Sequence, residues 1–401
     1  MRSLEIFSGA GGLAKGLELA GINHIAFVEN NKNACATLIE NFEKRKVFCE
    51  NIIKYDFSNL KNIDIVAGGP PCQPFSLGGK HKANQDNRDM FPYAIKAIET
   101  LTPKAFIFEN VKGLLRPLFA DYFKYIILRL TFPDCFPTAN MSWQKHLEFL
   151  KKIDFSSYTG IKYKVNYKLL NAADYGVPQC RERVVIVGIR SDLNTEWEFP
   201  KPTHSEERLL WDMHITEDYW NKYKIAKAKR INASTLLKDQ LKKLQGQFDI
   251  LSPRLEPWLT IRDALSDVPD PRSKHRISDH IFRDGAKIYP GHTGSSYDWP
   301  SKTIKAGDHG VPGGENMIRF NDETVRYLTV FEAKRIQTFP DDFYIEGSWG
   351  EAMRQIGNAV PVVLAQAIGE KILSTLRENN TGKKKTHTSI AIRDRANLRY
   401  A

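Results

Sequence analysis

The chain has 401 residues, 42% of them hydrophobic, which is enough for one large domain or two ordinary ones and removes any need for disulfide staples. Lys and Arg outnumber Asp and Glu by 58 to 47, a net charge of +11 that favours a polyanionic partner. The five cysteines, Cys35, Cys49, Cys72, Cys135 and Cys180, form no CxxC pair, so neither a disulfide framework nor a zinc ribbon is indicated and a reducing, cytoplasmic compartment is expected.

The first predicted strand, Leu4 to Phe7, starts almost at the initiator, and no apolar run looks long enough to span a bilayer, so neither a signal peptide nor a membrane anchor is expected. Phe7-Ser8-Gly9-Ala10-Gly11-Gly12 follows that strand and opens a helix, so the glycines let a nucleotide-like ligand approach the backbone at a helix N-terminus. Glu29 ends the second predicted strand, Ile25 to Val28, where a carboxylate can accept hydrogen bonds from ribose hydroxyls. Together they indicate an adenosine ligand, and the absence of G-x-G-x-x-G spacing argues against NAD; a plain glycine turn beside a surface glutamate is the structural alternative.

A third predicted strand, Ile63 to Ala67, runs into Pro70-Pro71-Cys72-Gln73-Pro74-Phe75-Ser76. Two consecutive prolines keep this segment out of helix and present Cys72 from a preset turn, as a nucleophile requires; a buried cysteine in a tight connection would look the same. Leu77-Gly78-Gly79-Lys80-His81-Lys82 reads as a basic lid. Glu109-Asn110-Val111 ends the predicted strand Ala105 to Phe108, next to the strand that leads to Cys72, so Glu109 can serve as an acid in the same cavity or simply cap the following turn. The stretch from Leu115 to Tyr158 reads as an insertion without an interpretable motif. Arg181 and Arg183 precede the predicted strand Val184 to Ile189, and their spacing puts both side chains on one side, to clamp a base oxygen, a phosphate or Glu109, or to form surface ion pairs.

Strands alternating with helices predict a doubly wound α/β fold with a mostly parallel sheet, whose ligands bind at the carboxyl ends of the strands. The alternation stops from about Ser191 to Asp322, which predicts a second, inserted domain. Helical periodicity resumes over Val325 to Gln337 and, after Gly357-Asn358-Ala359-Val360-Pro361, over Val362 to Arg377. The expected organisation is a catalytic domain over 1–190, a target-recognition domain over 191–325, a return to the first domain over 326–377 and a basic, disordered tail over 378–401.

With these motifs in this order, the chain resembles the DNA cytosine C5-methyltransferases of bacterial restriction-modification systems, over residues 1 to about 377. The resemblance implies the class I S-adenosylmethionine-dependent methyltransferase fold, with Phe7, Ser8, Gly9, Gly11, Gly12, Glu29, Asn51, Ile52, Pro70 and Asn358 at S-adenosylmethionine. It implies Cys72 as the nucleophile on cytosine C6, Glu109 as the acid at N3, and Arg183, with Arg181 beside it, at the base. Asn51 stands where the family usually has an aspartate for the adenine amino group, which leaves an amide oxygen to do that work. Duplex DNA and a cognate restriction endonuclease are the implied partners and S-adenosyl-L-homocysteine the implied by-product, and one active site and one recognition domain per chain permit a monomer. An RNA cytosine methyltransferase, an adenine amino-methyltransferase and a non-catalytic DNA-binding regulator are the competing readings; methyl transfer to DNA against transfer RNA separates the first, and a covalent DNA adduct separates the others.

Overall fold

The computed structural model describes residues 1–71, 89–230, 246, 254–306 and 316–380. Cys72, the 77–82 stretch read as a lid and nearly all of the basic tail lie outside the described residues; the tail's first residues, 378–380, belong instead to the last helix. By contacts the described chain forms two compact units, one of Met1–Leu170, Glu182–Pro200 and residues 365–380, the other of Asn171–Arg181 and Lys201–Leu364.

The first unit is built on seven strands: β1 (Arg2–Ile6), β2 (Asn23–Glu29), β3 (Val47–Cys49), β4 (Ile65–Gly68), β5 (Ala105–Val111), β6 (Tyr163–Asn171) and β7 (Glu182–Arg190), in sheet order 3-2-1-4-5-7-6. The pairs β1/β2, β1/β4, β2/β3 and β4/β5 are parallel, and β7 runs antiparallel to β5. The order reverses between β1 and β4, the switch point at which α/β sheets open a crevice at the strands' carboxyl ends. The first six residues of β5 are all buried, as expected of a central strand covered on both faces, and the main core gathers Leu4, Ile6, Val66, Phe106 and Phe108. Both strands that periodicity misses, β3 and β6, are edges of the sheet. Phe48 and Cys49 of β3 are exposed and only Tyr163 and Leu170 of β6 are buried, hence neither carries the apolar pattern that marks a buried strand.

Helices α1 (Gly12–Leu19), α2 (Lys32–Asn41) and α3 (Phe91–Leu101) connect the parallel strands. The 115–158 stretch continues this pattern: α4 (Ala120–Thr131) sends Tyr122, Phe123, Ile126 and Leu130 into the main core, and α5 (Trp143–Leu150) follows it.

In the second unit, α6 (Glu206–His214) and α7 (Asp218–Lys222) enclose Leu209, Met213, Tyr219 and Trp220. A two-stranded and a three-stranded sheet of short strands and a further helix, α8 (Ile261–Leu265), accompany them. Residues 326–364, expected to rejoin the first unit, pack here. Val325 starts a strand, Val325–Tyr327, not a helix; α9 (Val330–Ile336) begins only after Thr329, whose side chain forms a capping box with Glu332. Helix α10 (Trp349–Asn358) runs through Gly357 and Asn358, so the break before α11 (Val362–Asn380) is only Ala359-Val360-Pro361. The stretch Trp349–Glu378 has the length and apolarity of a membrane span, contrary to expectation, yet 67% of its most apolar window is buried in the protein, as in a core helix.

Candidate active site

The turn after β1 is held open by its backbone. Phe7, Gly9 and Gly11 have φ of 52°, 53° and 84°, a left-handed path that costs a glycine little and a phenylalanine more. Gly11 has a steric reason as well, since a Cβ there would stand 2.9 Å from Leu38, whereas a Cβ on Gly9 would meet nothing within 4 Å. Ser8 closes the turn by donating its hydroxyl to the Glu5 carbonyl at 3.0 Å. Gly12 begins α1, so the turn leads into a helix N-terminus with open space beside Gly9.

Glu29 sits at the end of β2 and its carboxylate reaches this turn: Oε2 accepts from the Gly9 N–H at 2.8 Å, while Oε1 accepts from Asn30 at 3.0 Å and Asn31 at 2.9 Å. A carboxylate gripped on both oxygens is oriented in advance, and Oε2 still has a lone pair for a hydroxyl donor. The open Gly9 position and this carboxylate fit an adenosine-type ligand. At the end of the neighbouring edge strand, the Asn51 side-chain oxygen accepts from Ile53 N–H at 3.0 Å, which leaves one lone pair for an amino group, and Ile52 is buried.

The acid lies across the switch point. Glu109 is 9% exposed at the end of β5, with Oε2 at 3.6 Å from where a Cβ on Gly69 would be. Val111 pairs with Arg183 across the antiparallel β5/β7 ladder, so Arg183 stands diagonally from Glu109 on the same face. Arg183 Nε is 2.7 Å from Glu109 Oε1, an ion pair whose N–H is not aligned as a hydrogen bond, since Oε1 is buried without a hydrogen-bond partner. Of the roles open to Arg183 in the sequence, this one is the clamp on Glu109. Asn110 faces the other way: its Nδ2 donates to the Pro70 carbonyl at 3.0 Å, which ties the segment leading to Cys72 to the strand carrying the acid.

Arg181 does not share this environment. Strand β7 begins only at Glu182, so the alternation that would align Arg181 with Arg183 does not apply. Its guanidinium is 0% exposed and donates to the carbonyls of Ile304 at 3.2 Å, Gly357 at 2.7 Å and Ala359 at 2.9 Å. Gln337 donates to Ile356 and Ala359 and accepts from Gln179, so motifs that seem separate in sequence brace one another inside the second unit. Gly357 is required there because a Cβ would stand 2.6 Å from the Ala306 nitrogen. Asn358, the last residue of α10, is exposed.

Among the described cysteines, Cys35 donates its thiol to the Glu29 carbonyl at 3.3 Å, and burial together with the neighbouring Cys49 pushes that thiol well above its ordinary range. Burial raises the Cys135 thiol too. Neither is poised as a nucleophile.

Residues 1–133 and 140–374 match the C-5 cytosine-specific DNA methylase family. The chain belongs to that family, and it is a DNA (cytosine-5-)-methyltransferase. It is 32% identical over 377 residues to the type II methyltransferase M.PspPI of Psychrobacter, covering 93% of this chain and 79% of that protein. With M.NgoMIV of Neisseria gonorrhoeae the identity is 31% over 94% of this chain and 99% of the relative. Among solved structures, the S. pombe Dnmt2 methyltransferase superposes with a TM-score of 0.55 at 16% identity, over 95% of this chain and 99% of that one, a likeness of fold. Sequence reasoning missed Asn110's tie to Pro70; the residue's place between the acid and the strand end was the available signal.

Proposed function

We propose that this methyltransferase transfers a methyl group from S-adenosylmethionine to C5 of a cytosine flipped out of a specific duplex DNA sequence, through a covalent bond from Cys72 to C6. The observation that carries the reading is Glu109: a buried carboxyl at the switch point, clamped by Arg183 on one oxygen and with the other facing Gly69, beside the strand end that leads through Pro70 and Pro71 to Cys72.

The Glu29 carboxylate and the Phe7–Gly12 turn would hold the adenosine end of the cofactor, Asn51 and Ile52 its adenine, and Asn358 would complete the site. When bound, S-adenosylmethionine supplies an electrophilic methyl group and leaves as S-adenosyl-L-homocysteine. The chain's residues prepare the acceptor. The Cys72 thiolate forms a bond to C6 while Glu109 delivers a proton to N3, so the electron pair of the 5,6 double bond becomes available at C5. After methylation the C5 proton leaves to a base, the bond from sulfur to C6 breaks, N3 returns its proton to the Glu109 carboxylate, and 5-methylcytosine is released with Cys72 free again. Arg183 keeps Glu109 directed at N3 throughout. Extruding the base costs a few kcal/mol, which protein contacts offset, and residues 191–325 supply the sequence-reading contacts in this proposal. The likeness to type II methyltransferases supports a role beside a cognate restriction endonuclease, and a cytoplasmic location is part of this proposal.

Covalent trapping tests this. Wild-type protein incubated with S-adenosylmethionine and a mixed-sequence duplex containing 5-fluorocytosine is expected to form a denaturation-resistant complex, and Cys72→Ser is expected to form none. Equal trapping by both proteins would remove Cys72 from the mechanism, and methylation of transfer RNA but not DNA would change the substrate.

A further inference from the structure

The chain on either side of the Cys72 segment is tied down by residues from one continuous stretch, 109–122. On the near side, Asn110 donates to the Pro70 carbonyl. On the far side, the Met90 N–H donates to the Pro71 carbonyl at 3.2 Å, bringing the two ends of the segment together. Asp89, next to Met90, accepts the Phe91 N–H on Oδ1 at 3.2 Å and the Tyr122 hydroxyl on Oδ2. Tyr122 is 8% exposed, on the face of α4 that enters the core, with its ring set edge-on to Trp143 at 5.2 Å. Burial pushes the Asp89 carboxyl above its usual range, against the pull of the Tyr122 and Phe91 hydrogen bonds. A helix-starting turn needs only the Phe91 contact, which a solvated aspartate could make without this desolvation cost. The second oxygen, committed to a tyrosine on another helix, therefore calls for its own account. This junction fixes both described flanks of the segment, Pro70-Pro71 and Asp89-Met90, against the strand that carries Glu109 and the helix that follows it.

Resting on the function proposed above, we infer that the hydrogen bond from Tyr122 to Asp89 is a positioning contact for the methyl-transfer step, acting through the chain that carries Cys72. Tyr122→Phe removes one oxygen and keeps the ring. Single-turnover methyl transfer to mixed-sequence duplex DNA is expected to slow roughly 10-fold, the scale on which a small misplacement of reacting groups acts, while dissociation constants for DNA and S-adenosylmethionine stay at wild-type values. Asp89→Asn is expected to slow the step as well, and the double variant to be no slower than the worse single one. A merely structural contact would lower the unfolding midpoint and leave the rate of the folded protein untouched. A wild-type enzyme that methylates and traps DNA beside an equally fast Tyr122→Phe protein overturns this inference alone, as do losses that multiply in the double variant. A wild type that does neither fails the underlying function, and this inference with it.

Discussion

The charged groups at the strand ends of the first unit and those inside the second are satisfied to different degrees. Among the described residues, Glu109 has one charge partner, Arg183, held at 2.7 Å without an aligned hydrogen bond, and its other oxygen faces a glycine. In the second unit, Arg181 donates to three carbonyls, and Arg335 contacts Asp267, Asp341 and the Ala264 carbonyl. A buried charge that costs free energy to desolvate is expected to be bonded at several points when its role is to hold structure. One left with bonding capacity beside a crevice is available for chemistry. The two arginines two residues apart thus fall on opposite sides of this difference.

The contrast breaks first at Glu109. Glu109→Gln keeps the shape and loses the transferable proton, so kcat for DNA methylation is expected to fall by roughly 10²-fold or more, while DNA affinity measured by gel shift holds. A variant as fast as wild type would make the carboxyl structural. Arg181→Met should show the opposite pattern. Three carbonyls lose their donor, which is expected to destabilise the protein by about 3 kcal/mol in chemical denaturation, whereas the single-turnover rate of the folded protein stays near wild type. A stable but slow Arg181→Met enzyme would return Arg181 to the catalytic group implied by the family resemblance.

The smallest effect sharpens the comparison within the first unit, in the helices that follow β5. His146 is buried and hydrogen-bonded to the Tyr125 hydroxyl at 3.0 Å, and burial, with the Arg129 charge nearby, lowers its pKa from 6.5 to about 4. The folded protein therefore resists a proton that the unfolded chain accepts. Its contribution to stability is complete above 6.5 and is lost as pH falls towards about 4. Melting midpoints across that window should decline less steeply in His146→Gln than in wild type; parallel slopes would mean that His146 does not titrate in this way.

The elements legible in the sequence are the ones buried enough to print a pattern. Strands β1, β2, β4, β5 and β7 all appear at their expected places because their apolar runs face a covered core, and the glycine turn, Glu29 and Glu109 fall at strand ends as their neighbours require. Edge strands β3 and β6 left too weak an alternation to be seen. The 115–158 stretch was opaque for another reason: Tyr122 gains meaning only from Asp89, 33 residues earlier in the chain. Residues 326–364 fall in the second unit and not where helical periodicity predicts, because an amphipathic helix announces an apolar face without naming what covers it.

By itself the sequence determined the fold class, the family and the residue types at the strand ends, because backbone sterics and burial act over a few residues and leave their mark locally. The tertiary structure alone decided which arginine meets the acid, which carbonyls Arg181 serves and what ties down the chain beside Cys72, since each of these depends on groups far apart in the chain that only packing brings within hydrogen-bond reach.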